Sequence, residues 1–160
     1  MTTTIAATTT SVTAAAADSC AVFPVEAIDK ATGLTRYTQS AKQASGCAWR
    51  SADTRPDGGN YATGYVVSAA RLFQPELDAG TYASPAKVDK LTVGTTTVLY
   101  SVIPNNGPGW QFITFKFLAT ADKAVSGNVS LPQSADPVPV VTALVQLYLA
   151  NSAKLPSAGT

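Results

Sequence analysis

Trp110-Gln111-Phe112-Ile113-Thr114-Phe115-Lys116-Phe117-Leu118 alternates with the period of a β-strand. Ile113, Phe115 and Phe117 share one side, and Phe112, Thr114 and Lys116 the other. That pattern predicts an antiparallel strand with one packed face and one polar or semi-polar face. Immediately before it, Pro104-Asn105-Asn106-Gly107-Pro108-Gly109 reads as a tight loop. Further upstream, Leu91 to Ile103 is strongly β-forming, with Thr95 to Tyr100 at its centre.

Working outward, Tyr61 to Phe73 reads as one long extended run and Pro75 to Pro85 as loop. Asp53 to Asn60, rich in Asp, Pro and Gly, reads as a turn. It is not a calcium loop, because Arg55 stands where an oxygen ligand belongs and Gly64 where the closing Glu should be. Cys47 to Ser51 is a short strand, and Val22 to Ile28 with Leu34 to Gln39 predicts a β-hairpin turning at Gly33.

Near the C-terminus the period changes. Asp136 can cap a helix that Pro137 begins, and Val141, Leu144, Val145 and Tyr148 form an apolar stripe. Leu147 and Leu149 widen that stripe, so the helix needs a cover. The expected fold is α+β: an N-terminal β-hairpin, an antiparallel meander of about five strands, and a C-terminal helix packing across a dimer partner. Residues 1–17, nearly all Thr and Ala, read as a flexible arm or peripheral strand, and 18–160 as a single domain.

Composition narrows the function. The 160 residues are 46% hydrophobic and 13% charged, with 11 Lys and Arg against 10 Asp and Glu. The absence of His removes Ser-His-Asp and Cys-His catalysis and every His-containing zinc site. Glu76 and Asp78 read as solvated charges, not a catalytic pair, so neither enzymatic activity nor a cofactor or metal is expected. Cys20 and Cys47 lack metal spacing, and a disulfide and two free thiols both remain open. The N-terminus lacks the charged and continuously apolar regions of a signal peptide, and Pro137 to Ala150 is too short to cross a membrane.

Tyr65, Arg71, Tyr100, Trp110 and Lys116 fall on predicted strands of one sheet. Cations beside aromatic rings suit single-stranded RNA, but on pattern alone these residues read as ordinary strand residues with solubility charges.

The stretch Pro24 to Trp49 resembles the N-terminal part of coat proteins of the single-stranded RNA bacteriophages (the levivirus type). The residues that carry the resemblance are Thr32-Gly33 and Gly46-Cys47-Ala48-Trp49, followed by a polar turn, strands, a Gly/Pro-rich loop, the Trp110 strand and a helix. The match in pattern and order covers about residues 22 to 153. The 1–17 arm is extra, and 74–90 and 121–135 look like insertions. The resemblance implies a homodimer in which two sheets join edge to edge and each helix covers the partner's sheet through Val141, Leu144, Val145 and Tyr148. Dimers would then build an icosahedral shell around genomic RNA, assembled in the host cytoplasm and carried in the virion.

It further implies RNA contacts from Tyr65, Arg71, Tyr100, Thr114 and Lys116 on the helix-free face. Asn105, Asn106, Gly107, Pro108 and Gly109 would form an inter-subunit loop. An RNA hairpin bound as a translational repressor and a phage maturation protein are the further partners it suggests. A tail-tube or pilus-like subunit donating its arm to a neighbour, and an exported monomeric β-domain stapled by Cys20–Cys47, are the competing readings.

Overall fold

The computed structural model describes residues 18–158, so the expected arm, 1–17, lies outside the described residues. The strands are β1 (Thr38–Gln43), β2 (Gly46–Thr54), β3 (Asn60–Ala69), β4 (Val88–Val93), β5 (Thr96–Gly107), β6 (Trp110–Leu118) and β7 (Lys123–Pro132). The helices are α1 (Val25–Thr32), α2 (Ala70–Ala79) and α3 (Pro137–Ala150), followed by a 3₁₀ turn at Ser152–Lys154. All seven strands form one antiparallel sheet in the order β1-β2-β3-β7-β6-β5-β4. It is α+β as expected, but not a simple five-strand meander. Two meanders, β1–β3 and β4–β7, are sewn together where β3 pairs with β7.

β6 behaves as its alternation predicts. Ile113, Phe115 and Phe117 are fully buried, and register aligns them with Val129, Gly127 and Val125 of β7. Each such side chain contributes about 1.5–3 kcal/mol through its burial. Gly127 is where a larger residue will not fit, because a Cβ there would enter the Phe115 ring.

α3 lies over this face. The carboxylate of Asp136 accepts a hydrogen bond from the Val138 N–H (3.0 Å), and Pro137 occupies the first turn. Val141, Leu144, Val145 and Tyr148 are all buried within the chain's own core. The Tyr148 ring centre is 6.3 Å from Phe115, 6.2 Å from Phe117, 5.2 Å from Tyr65 and 5.3 Å from Phe23. The stripe therefore has its cover without a partner subunit, which corrects the argument that this helix must pack across a dimer. α1 flanks α3 on the same side and buries Ile28 in the core.

The N-terminal hairpin is not formed. Val25 to Thr32 is helical, with Glu26 in the first turn and Lys30 in the last, each favourable to the helix dipole. Gly33 does adopt positive φ (+71°), but it ends the helix, donating its N–H to the Asp29 carbonyl. Three further boundaries move. The run from Tyr61 ends as strand at Ala69, and α2 follows, containing Pro75 and stopped by Gly80 at φ +68°. Leu91 to Ile103 is two strands, divided by a turn with Gly94 at φ +60°. Lys123–Pro132, expected within an inserted loop, is the central strand β7.

Cys20 and Cys47 are joined by a disulfide with Cα atoms 5.1 Å apart, which resolves the thiol question. The bond pins the N-terminal segment to β2, where Phe23 inserts beside Trp49 and Tyr65. No helix among the described residues is long and apolar enough to cross a membrane.

Candidate functional site

The sheet has a face packed by α1 and α3 and an opposite face that α2 covers only in part. On this second face Phe73 and Leu77 of α2, with Tyr82, rest on Leu99, Leu118 and Ala124. Beyond them lies a groove of about 320 Å³, floored by Val66, Ile103, Phe112, Thr114, Ser126 and Asn128 and walled by Tyr82 to Pro85. Val66 is 40% exposed there, and past it β2 presents Ala48 and exposed Arg50, in register with Gly64 and Ala62. Arg50 has no ion pair among the described residues.

Of the five residues expected to contact RNA, two reach this face. Thr114 sits beneath the Tyr82 hydroxyl, which is 2.8 Å from its Oγ1 and 3.0 Å from its carbonyl oxygen. Burial holds the Tyr82 phenol above its ordinary pKa. Lys116 donates to both carboxylate oxygens of Glu76, at 2.9 and 2.7 Å, and its ammonium lies 4.9 Å from the Tyr82 ring centre. The cation expected to meet phosphate is thus already neutralised by α2.

The other three are elsewhere. Tyr65 aligns with Gly127, and through it with Phe115, so it belongs to the packed face; it is buried against Trp49 and donates its hydroxyl proton to the Ser19 carbonyl. Burial pushes its pKa well above the ordinary phenol value. Tyr100 pairs with Phe115 and also faces the core, while its neighbour Leu99 pairs with Lys116 and lies beneath α2. Arg71 is exposed on α2, because the strand that would have given it the parity of Tyr65 ends two residues earlier. Glu76 and Tyr82, which decide the fate of Lys116 and Thr114, carry no sequence signal: their roles follow from α2 folding back across the sheet.

The expected inter-subunit loop is largely strand. Asn105, Asn106 and Gly107 continue β5 after a break in register at Ile103, and only Pro108 and Gly109 form the turn. Asn105, at φ +52°, donates its N–H to Gln133 Oε1 (2.9 Å). Gly107 lies against the Trp110 indole, which donates to Asp57 Oδ2 (3.0 Å) and sits 4.1 Å from the Arg55 guanidinium. These contacts tie the loop to the turn between β2 and β3. Asp57 also accepts from the Gly59 N–H, the main cause of its lowered pKa, and from Arg55.

The sheet's edges are the remaining feature. All six residues of β1 are exposed, and among the described residues β1 pairs on one side, with β2. A register shift between Gln39 and Ala41, the ion pair Lys42–Asp18 (3.2 Å) and the Ser19 hydroxyl, which donates to the Gln43 carbonyl (2.7 Å), interrupt this edge among the described residues. Among the described residues no three acidic or thiol side chains are grouped as a metal site would need. Comparison of the chain with protein-family models, with curated proteins and with solved structures gives no match.

Proposed function

We propose that the chain is the structural subunit of a self-assembling coat, related in role to the capsid proteins of the single-stranded RNA phages and without enzymatic activity. The observation that carries this reading is β1. An edge strand with a row of unpaired N–H and C=O groups is a template for another chain, and soluble monomers cover or break such edges. Among the described residues the interruptions here are a bulge, an exposed ion pair and the Ser19 hydroxyl on the Gln43 carbonyl. The groove beside α2 adds a second uncovered surface that is mostly apolar and weakly charged.

Single-stranded RNA is the proposed content of the coat, carried by the resemblance and not by Lys116. Arg50, exposed on the open face and without an ion pair among the described residues, supports this reading as a cation available to phosphate. The proposed setting is the virion, assembled in the host cytoplasm. Because thiols there are kept reduced, the Cys20–Cys47 bond would close after release.

The same disulfide favours a second reading, an exported β-domain that works as a monomer, since structural disulfides belong to oxidising compartments. Electron microscopy and sedimentation of the purified chain, with the ratio of absorbance at 260 and 280 nm, separate the two. Closed particles containing nuclease-protected RNA are expected. A stable folded monomer at micromolar concentration would refute the coat and leave the exported domain.

A further inference from the structure

We infer that Cys20 is the reactive sulfur of a bond that closes after the chain has folded. A low-molecular-weight disulfide modifies Cys20 first, and Cys47 then displaces the small thiol. The two sulfurs differ in access. Cys47 lies in β2 within the main core and is 3% exposed, whereas Cys20 is only partly buried. The Cys20 Sγ lies 3.9 Å from the Ala41 carbonyl oxygen, at an exposed position. A thiol or disulfide arriving from solvent therefore meets Cys20, because exchange requires access to the attacked sulfur. The inference concerns the chain's own chemistry and stands under either functional reading above.

The segment that carries Cys20 is held in place on both sides of the bond. Before it, buried Ser19 donates its hydroxyl to the Gln43 carbonyl (2.7 Å) and accepts at its own carbonyl from the Tyr65 hydroxyl. The Asp18 carboxylate accepts from the Cys20 N–H (3.0 Å) and pairs with Lys42 (3.2 Å). After it, Val22 and Phe23 are both buried, with the Phe23 ring centre 5.4 Å from Trp49. None of these contacts uses the sulfur–sulfur bond. They keep Cys20 beside Cys47 in the reduced chain, where the Cα atoms are 5.1 Å apart once bonded.

The chemistry balances with the small disulfide as sole oxidant. The Cys20 thiolate attacks one of its sulfurs, the first small thiol leaves, and a mixed disulfide remains at Cys20. The Cys47 thiolate then attacks the Cys20 Sγ and expels the second small thiol. Both cysteine thiols are oxidised, the small disulfide is reduced to two thiols, and the cysteine protons end on them. Reduction runs the same path backwards: a monothiol attacks the Cys20 Sγ, and Cys47 is the leaving group. Both directions share one intermediate, a mixed disulfide at Cys20 with Cys47 free.

The test uses the full chain and glutathione. Bonded wild-type protein in native buffer is mixed with excess reduced glutathione, quenched in acid and mapped by mass spectrometry. The adduct is expected on Cys20, with Cys47 recovered as the free thiol. In parallel, reduced full-length Cys47→Ala and Cys20→Ala variants are mixed with oxidised glutathione. Cys47→Ala should accumulate a stable adduct at Cys20. Cys47 in the Cys20→Ala chain should react at least about tenfold more slowly, because reaching it withdraws a buried apolar side chain from the core. Guanidinium that unfolds both variants should bring the two rates together. If a single variant fails to fold, the wild-type arm decides, because it starts from the bonded chain. An adduct on Cys47 in the wild type, or equal rates in the two folded variants, would overturn the assignment of Cys20. A reduced wild-type chain that circular dichroism shows to be unfolded would overturn closure after folding.

Discussion

Removing the Cys20–Cys47 bond should lower stability by an amount that the chain itself sets. The bond closes a loop of 27 residues holding α1 and β1. Loop-closure entropy for that separation is worth about 3.5 kcal/mol at 25 °C. For a chain of 160 residues this converts to a fall in Tm of about 10 °C. The double variant Cys20→Ala, Cys47→Ala and the wild-type chain in reductant should show similar losses, read by calorimetry. Urea titration should give the free-energy difference directly, with the slope checked for constancy. Hydrogen exchange should place the first loosening at 19–23 and β1, where the bond holds the segment that carries Phe23 into the core. Oxidised and reduced proteins melting within about 2 °C of each other would refute the entropic argument. Two titratable thiols in protein denatured without reductant would refute the bond itself.

Gly127→Ala should destabilise by about 1–3 kcal/mol, because the added methyl meets the buried Phe115 ring; a urea midpoint unchanged from wild type would contradict that packing. Asp136→Ala removes the cap of α3 and should cost about 1 kcal/mol in the same titration, with Asp136→Asn recovering most of it. Acid should unfold the protein through its aspartates. Asp53 is held low chiefly by the Thr35 N–H, Asp18 by the Cys20 N–H and Asp57 by the Gly59 N–H. A carboxyl whose folded pKa lies below its unfolded value stabilises above about pH 4, and that contribution is lost as pH falls through the lower folded value. With no His in the chain, Tm should be nearly level from about pH 5 to 7, and a step in a calorimetric series within that window would contradict this.

The elements most legible in sequence were those where one period runs unbroken. β6 announces its buried face at Ile113, Phe115 and Phe117, and α3 announces both its cap and its stripe. The rest was hidden for identifiable reasons. A positive-φ glycine serves a hairpin turn and a helix terminus alike, so Gly33 could not by itself distinguish α1 from the expected strand. β7 carries Gly127 and Asn128 at its middle, residues that signal a loop; the Gly is required by a ring from the neighbouring strand, and that contact is visible only in three dimensions. Pro75 suggested a loop where the helix tolerates it on an exposed side. The candidate site suffered most, because parity propagates. Once the strand is assumed to continue through Arg71, and Tyr100 is set beside Lys116, residues from opposite faces are merged into one surface.

The seam between β3 and β7 has a consequence for the chain during its own synthesis. β7 follows every other strand in sequence, yet it lies at the centre of the sheet. Until residues 123–132 leave the ribosome, neither β3 nor β6 can gain its β7 partner, so no strand joins β1–β3 to β4–β6. Both β3 and β6 then present open hydrogen-bonding edges beside the apolar side chains of Tyr65, Val67, Phe115 and Phe117. A nascent chain in that condition is exposed to pairing with the wrong strand of a neighbour on the same polysome. Closure of the sheet must wait for this last strand, which pairs with both β3 and β6.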